Sequence, residues 1–271
     1  MVAGSTPLSV VGSRALTITE QQGSSVRTEG LRVQLEARTL LDGVTTAFER
    51  NRITAIVGPT GCGKTTLLRA INRLHDHTPG MRVSGTVTVD DDNVYDRDID
   101  VRALRRRVGM LFQRPNPFPQ SIADNVGLAP RAHGLGRRDV AEMVEVRLRE
   151  VGLWAAVADR LDQSPFSLSG GQQQLLCLAR ALALSPKVLL LDEPASALDP
   201  RTTEHIEELL QRLSRRMTIL IVTHNLAQAS RISDQVTFLM AGKLVESAPS
   251  HKFFGDADDQ RSRAYVSGRI G

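Results

Sequence analysis

Residues 58–66 read "GPTGCGKTT". They match the pattern G-x-x-x-x-G-K-[ST], and at this composition a chance match anywhere in the chain is on the order of a few in a thousand. The flanks agree with the match. "RITAIVG" (52–58) is a short apolar run with β-branched residues, which predicts a strand. "KTTLLRAINRL" (64–74) puts Leu67, Leu68, Ile71 and Leu74 on one face of a helix. A glycine-rich loop between strand and helix is a phosphate cradle. Glycines let the backbone curl around phosphate oxygens without Cβ clashes, and the N–H groups then point inward. The candidate nucleotide-binding residues are Gly58, Pro59, Thr60, Gly61, Cys62, Gly63, Lys64, Thr65 and Thr66. Lys64 offers charge to the β- and γ-phosphates, Thr65 a hydroxyl to Mg²⁺, and Thr66 a bond to a phosphate oxygen.

Two further runs, "KVLLLDEP" (187–194) and "MTILIVTHN" (217–225), are apolar without alternation. Such strands are buried on both faces of a parallel sheet. The first ends in Asp192 and Glu193, which cannot both face inward along one extended strand. At its mouth Asp192 is placed to hold Mg²⁺ through water, and Glu193 is the candidate general base for an attacking water. His224 closes the second run. A lone histidine is more often structural, but at a strand mouth it can reach a γ-phosphate. Gln113 follows the strand "RVGMLF" (107–112) and opens a proline-broken loop, "QRPNPFPQS" (113–121). Its neutral amide can contact Mg²⁺ or water and withdraw when the loop moves.

"LSGGQQQL" (168–175) opens an apolar helix, expected to begin near Gln172, with two glycines between Ser169 and Gln172. A helix start of this kind is prepared for an anion, yet residues 58–66 already hold the phosphates. Two helix starts of one compact chain clamp the same γ-phosphate only with difficulty. Two chains arranged head to tail solve this, each lending Ser169, Gly170, Gly171 and Gln172 to the other's nucleotide. Closure of this homodimer then depends on the γ-phosphate, and hydrolysis opens it.

Around these motifs the pattern is α/β: a mostly parallel core, an antiparallel N-terminal flank and a polar-amphipathic helical insertion from Ser121 to about Leu161. "RVSGTVTVDDDNV" (82–94) alternates with period two, as a half-exposed antiparallel strand does. The expected units are a flexible tail over 1–28, a nucleotide-binding core over 29–114 and 167–250, a helical subdomain over 115–166, and a C-terminal segment over 251–271. The chain has 271 residues and a formal charge of +4, with only four lysines, so arginine carries the excess. That excess is mild and dispersed, weak support for nucleic-acid binding. The run Arg105, Arg106, Arg107 reads as a solvated edge. Two cysteines without metal spacing fit a reducing compartment, and no stretch has the length of a membrane span or the order of a signal peptide.

In this order "GPTGCGKTT", Gln113, "LSGGQ", "VLLLDEP", "SALDP" (196–200) and His224 resemble the ATPase subunits of ABC transporters, over most of the chain. The resemblance implies a P-loop NTPase fold of the ABC ATPase type, with an antiparallel N-terminal β subdomain and an inserted helical subdomain. It implies ATP and Mg²⁺ as ligands and ATP hydrolysis by a homodimer. It also puts Asp199 in a loop linking the two sites, and residues Pro115 and Gln120 at the ends of a loop that lines the groove for two membrane-spanning permease subunits.

"INRLHD" (71–76), residues 98–126, residues 223–246 and the ending "YVSGRIG" (265–271) narrow the resemblance to ATPases of bacterial phosphate importers. That implies inorganic phosphate as cargo, a place on the cytoplasmic face of the cell membrane through the permeases, an indirect phosphate-binding protein partner, and no nucleic acid. Prolines 115, 117 and 119 hold Phe118 on a stiff loop, where it is either an exposed anchor or tucked into its own lobe.

One position departs from the family. The aromatic that usually stacks on adenine, about two dozen residues before the phosphate loop, falls in "RVQLEARTL" (32–40), which has none; Leu35 or Val33 is nearest. Lost stacking removes ~1–3 kcal/mol if base–aromatic values transfer. The alternatives are an importer ATPase for another small polar solute such as an amino acid, and a soluble ABC ATPase acting on nucleic acid or ribosomes. A single motif set and no long heptad run speak against the latter. Glu193 and His224 speak against a non-hydrolytic binder.

Overall fold

The computed structural model describes residues 22–196 and 198–270. The chain opens with strands β1 (Val26–Leu35), β2 (Arg38–Phe48) and β3 (Ile53–Val57), then helix α1 (Lys64–Ile71). Strands β4 (Met81–Val89) and β5 (Asp92–Asn93), helix α2 (Val101–Arg107) and strand β6 (Val108–Leu111) follow. Helices α3 (Ile122–Ala132), α4 (Arg137–Glu150) and α5 (Trp154–Val157) fall in the helical stretch, and α6 (Gly170–Leu182) leads back to the core sheet. Strands and helices then alternate: β7 (Val188–Asp192), α7 (Pro200–Leu213), β8 (Thr218–Val222), α8 (Leu226–Ile232) and β9 (Gln235–Met240). β10 (Lys243–Pro249), α9 (Ser250–Asp256) and α10 (Gln260–Val266) close the described chain.

The core sheet has the order β10-β9-β3-β8-β7-β6. Its five strands from β9 to β6 are parallel, and β10 adds an antiparallel edge. A second, antiparallel sheet, β2-β1-β4-β5, is the N-terminal flank. Every position of β3, β7 and β8 is buried, as their unbroken apolar runs require. Alternate side chains still serve different cores. Ile56, Leu190, Leu220 and Val222 pack with Leu67 and Leu68 of α1 and with Val26, Leu31 and Val87 of the antiparallel sheet. Ala55, Leu189, Leu191 and Ile221 pack with Val126, Val144, Leu176 and Leu210 of the helices. Each such leucine or isoleucine stabilises the fold by roughly 1.5–3 kcal/mol.

Register decides where the site forms. Leu111 lies opposite Leu191, Asp192 opposite Val222, and Ile56 opposite Val222. The loops that leave β3, β6, β7 and β8 therefore emerge together at the carboxyl edge of the sheet, where α/β proteins bind ligands.

Two expectations are corrected. Of the tail expected over 1–28, residues 1–21 lie outside the described residues, but the rest belongs to the core. Ser24 and Val26 are fully buried. Ser24 donates to Asp90 (2.7 Å), and Thr218 donates to the Ser24 carbonyl (2.7 Å). Hydroxyl-rich composition reads as loose, but these hydroxyls tie the segment down. Helix α6 starts at Gly170 instead of near Gln172, because Ser169 is its N-cap in a reciprocal capping box with Gln172. Cys62 and Cys177 are free and buried, and burial pushes both thiols up. Arg105 and Arg107 are partly engaged, Arg105 on the Asn72 and Arg73 carbonyls and Arg107 on Asp92. Among the described residues no helix is long and apolar enough to cross a membrane.

Candidate active site

The phosphate loop runs from the end of β3 into α1. Gly58 has φ +145°, and a Cβ there would lie 2.1 Å from the Leu239 carbonyl oxygen. Gly63 has φ +107°, and its Cβ would lie 2.6 Å from Leu41. Both positions need glycine on steric grounds. Gly58→Ala is expected to destabilise the chain by ~3 kcal/mol or more and to remove ATP binding, read by denaturant unfolding and calorimetry.

The helix that follows has no side-chain cap at its N-terminus. Among the described residues the N–H groups of Gly61, Gly63, Lys64, Thr65 and Thr66 find no hydrogen-bond acceptor. A row of free N–H groups at a helix start is an anion nest. Three residues of the motif serve it differently. Pro59 has no N–H and gives its carbonyl to Cys62 N (3.3 Å). Cys62 turns its side chain into the core. Gly58 donates its N–H away from the nest, to the Tyr265 hydroxyl (3.1 Å). Lys64, only 8% exposed, donates to the carbonyls of Gly58 (2.7 Å) and Pro59 (2.9 Å).

Thr65 Oγ1 donates to Asp192 Oδ1 at 2.9 Å. Burial pushes the Asp192 carboxyl above its usual range, partly offset by the Thr65 bond. A hydroxyl beside a buried carboxylate is a hard oxygen set that suits Mg²⁺, whose other ligands would come from phosphates and water. Among the described residues no cluster of three His, Cys, Asp or Glu side chains could hold a metal alone.

Glu193 leaves β7 with φ +47°, and its N–H donates to the Val222 carbonyl (2.9 Å). A left-handed non-glycine residue costs of order 1–3 kcal/mol and persists only where its surroundings hold it. The turn separates the two acids: Asp192 stays buried, and Glu193 faces the strand mouths. Gln113 Nε2 donates to Glu193 Oε2 (2.8 Å), and His224 Nδ1 lies 3.1 Å from the same oxygen. A cavity of about 860 Å³ opens beside Glu193 and His224 and is also lined by Ser196, Thr203 and Gln228. It lies on the side of α7 and α8, and none of residues 58–66, Gln113 or Asp192 lines it.

Gln174 is a residue that motif reading passed over. It is 1% exposed, and its Nε2 donates to the carbonyls of Phe112 (3.1 Å) and Pro194 (3.3 Å). Those residues flank Gln113 and Glu193, so α6 ties together the backbones that carry both. A glutamine within an otherwise apolar helix face was the signal available.

The other candidates lie apart. Ser169 and Gln172 cap each other, and among the described residues no hydrogen bond joins 169–172 to 58–66. A Cβ on Gly170 would meet nothing within 4 Å, whereas one on Gly171 would meet the Thr202 side chain at 3.2 Å. Asp199 caps α7, accepting from Thr202 N (3.0 Å) and Thr202 Oγ1 (2.6 Å). Val33 is wholly buried, so of the two residues nearest the adenine position only the half-buried Leu35 is available. Phe118 is 39% exposed, with the Arg180 guanidinium 4.3 Å from its ring centre. Asn125 clamps its backbone from both sides, accepting from Phe118 N (2.7 Å) and donating to Phe118 O (3.1 Å).

A phosphate loop, a paired hydroxyl and carboxylate, and a strand-end glutamate fixed by two other loops define a P-loop nucleotide-binding ATPase domain. The profile of the family described as ABC transporter matches residues 41–196. The Phosphate import ATP-binding protein PstB 2 of Mycobacterium tuberculosis (strain H37Rv) is 54% identical over 235 residues, 86% of this chain and 85% of its own length. The protein of the same name from Mycobacterium bovis shows the same identity and coverage. A bacterial Atm1-family ABC exporter solved with ATP bound superposes with a TM-score of 0.77 at 23% identity, over 92% of this chain and 42% of the exporter chain. That likeness speaks for the fold alone. The chain belongs to the ABC transporter family and has its ATPase fold.

Proposed function

We propose that this chain is the ATP-hydrolysing subunit of an ABC importer for inorganic phosphate, held at the cytoplasmic face of the cell membrane by two permease subunits. The likeness to phosphate-import ATP-binding proteins along most of both chains carries this reading. A phosphate-binding protein delivers the cargo, which never touches this chain. The preordered Phe118 and the proline-stiffened loop over 115–120 support a permease contact there.

In the reaction, Lys64 exchanges the Gly58 and Pro59 carbonyls for phosphate oxygens, and the free N–H groups of 61–66 hold the rest of the phosphate chain. Mg²⁺, when bound, neutralises phosphate charge; Thr65 and Asp192 would hold it, Asp192 through water, with Gln113 nearby. Glu193 takes a proton from water as the water oxygen attacks the γ-phosphorus and the bond to ADP breaks. Gln113 and His224 fix the carboxylate that does this, and His224 also reaches the γ-phosphate. Leu35 gives adenine an apolar face in place of an aromatic ring.

Ser169, Gly170, Gly171 and Gln172 complete the site of a second copy, and Asp199 links the two sites. Their separation from 58–66 within one chain supports this division. Ser169→Arg is expected to leave ATP binding by the single chain unchanged but to block ATP-dependent dimerisation, measured by light scattering. Mixing it with Lys64→Ala chains should restore one active site per dimer.

The cargo is tested by uptake of radiolabelled phosphate into cells lacking the chain and cells re-expressing it. ATP-dependent phosphate uptake should return with the chain. Restored uptake of an amino acid instead, with phosphate uptake unchanged, would assign the other cargo.

A further inference from the structure

The ending "YVSGRIG" takes no part in the reaction described above, yet its first residue touches the phosphate loop. We infer that Tyr265 is a positioning residue for nucleotide binding: its phenolic oxygen accepts the N–H of Gly58 and fixes where the loop leaves β3. This rests on the ATPase reading and extends it to the C-terminal segment.

The bond is 3.1 Å long and buried, and Tyr265 is 6% exposed. The ring has little freedom. It stacks on Phe238 of β9, with centroids 4.8 Å apart and planes 16° apart, and Phe238 in turn meets Phe253 of α9 edge-on at 6.0 Å. Burial pushes the phenol up, so the oxygen is a neutral hydroxyl. The root of the loop is gripped from the same side at two more points. The Leu239 carbonyl excludes any side chain at Gly58, and Gly242 N donates to the Cys62 carbonyl (3.1 Å). All three holds come from β9 and beyond. Because Gly58 points its N–H out of the nest, phosphates do not compete for it. Without Tyr265 this buried donor is orphaned, and the loop satisfies it only by shifting. The position of α10 is thereby transmitted to the nucleotide site.

The test is Tyr265→Phe in the full-length chain, assembled with its permeases. It removes one oxygen and keeps the ring. The KM for ATP is expected to rise about five- to tenfold, with kcat changed by less than about twofold and the thermal midpoint lowered by a few degrees, as an orphaned buried donor requires. An unchanged KM, whether or not the midpoint falls, overturns the inference, because a purely structural tyrosine would behave that way. If the phenylalanine variant does not fold, 4-aminophenylalanine at 265 keeps the ring and the size of its substituent but offers a much poorer acceptor, and the same rise in KM is expected. An unchanged KM there overturns the inference equally. Wild-type chain without saturable ATP turnover would instead overturn the ATPase reading, and the inference with it.

Discussion

Lys64→Ala is expected to weaken ATP binding at least about a hundredfold and to leave no measurable turnover, with the fold intact. The ammonium is 8% exposed and sits on the Gly58 and Pro59 carbonyls, 3.9 Å from Cys62 Sγ. No other lysine or arginine makes a hydrogen bond to a residue of 58–66 among the described residues, so nothing nearby replaces its charge. Of the two carbonyls it releases, that of Pro59 is half-buried and can bond water, whereas that of Gly58 is buried, so the thermal midpoint should fall by a few degrees while the chain still folds. Calorimetry with ATP and Mg²⁺, beside a melting curve, separates the two effects. Normal turnover by this variant would remove the phosphate-loop assignment.

Glu193→Gln is expected to slow hydrolysis by roughly 10²–10⁴-fold while ATP binding is kept. The amide matches the carboxylate in shape, and its oxygen can still accept from Gln113. It cannot take a proton from water. ATP then persists, and the chain should accumulate as an ATP-bound dimer on size exclusion with light scattering. Hydrolysis at the wild-type rate by a monomeric variant would put the base elsewhere, with His224 the next residue to replace. Because Glu193 Oε2 also meets His224, the histidine variant should show a partial version of the same defect.

The chemistry of each motif is local, and so it was legible. A glycine loop before a lysine and threonine, two acids after an apolar run, and a serine and glutamine around two glycines each carry their physics within a few residues. Their meeting is not local. Gln113 and Glu193 are 80 positions apart and bond because parallel register brings β6 beside β7. Gln174 is 62 positions from Phe112, and its amide found the carbonyls around the site only when α6 packed under the sheet. The N-terminal boundary was misread for the same reason: partners for Ser24 lie at Asp90 and Thr218.

Tyr265 marks the limit most clearly. It is 207 positions from Gly58, and nothing near it in the chain hints at a phosphate loop. Amino-acid order alone settles strands, helix starts and reactive groups, because backbone conformation and side-chain chemistry are short-range properties. Which of those groups share an oxygen, which loop N–H is already taken, and which helix grips the phosphate loop were decided by tertiary packing. Those contacts are set by strand order, register and the shape of two buried cores, to which residues from every part of the chain contribute.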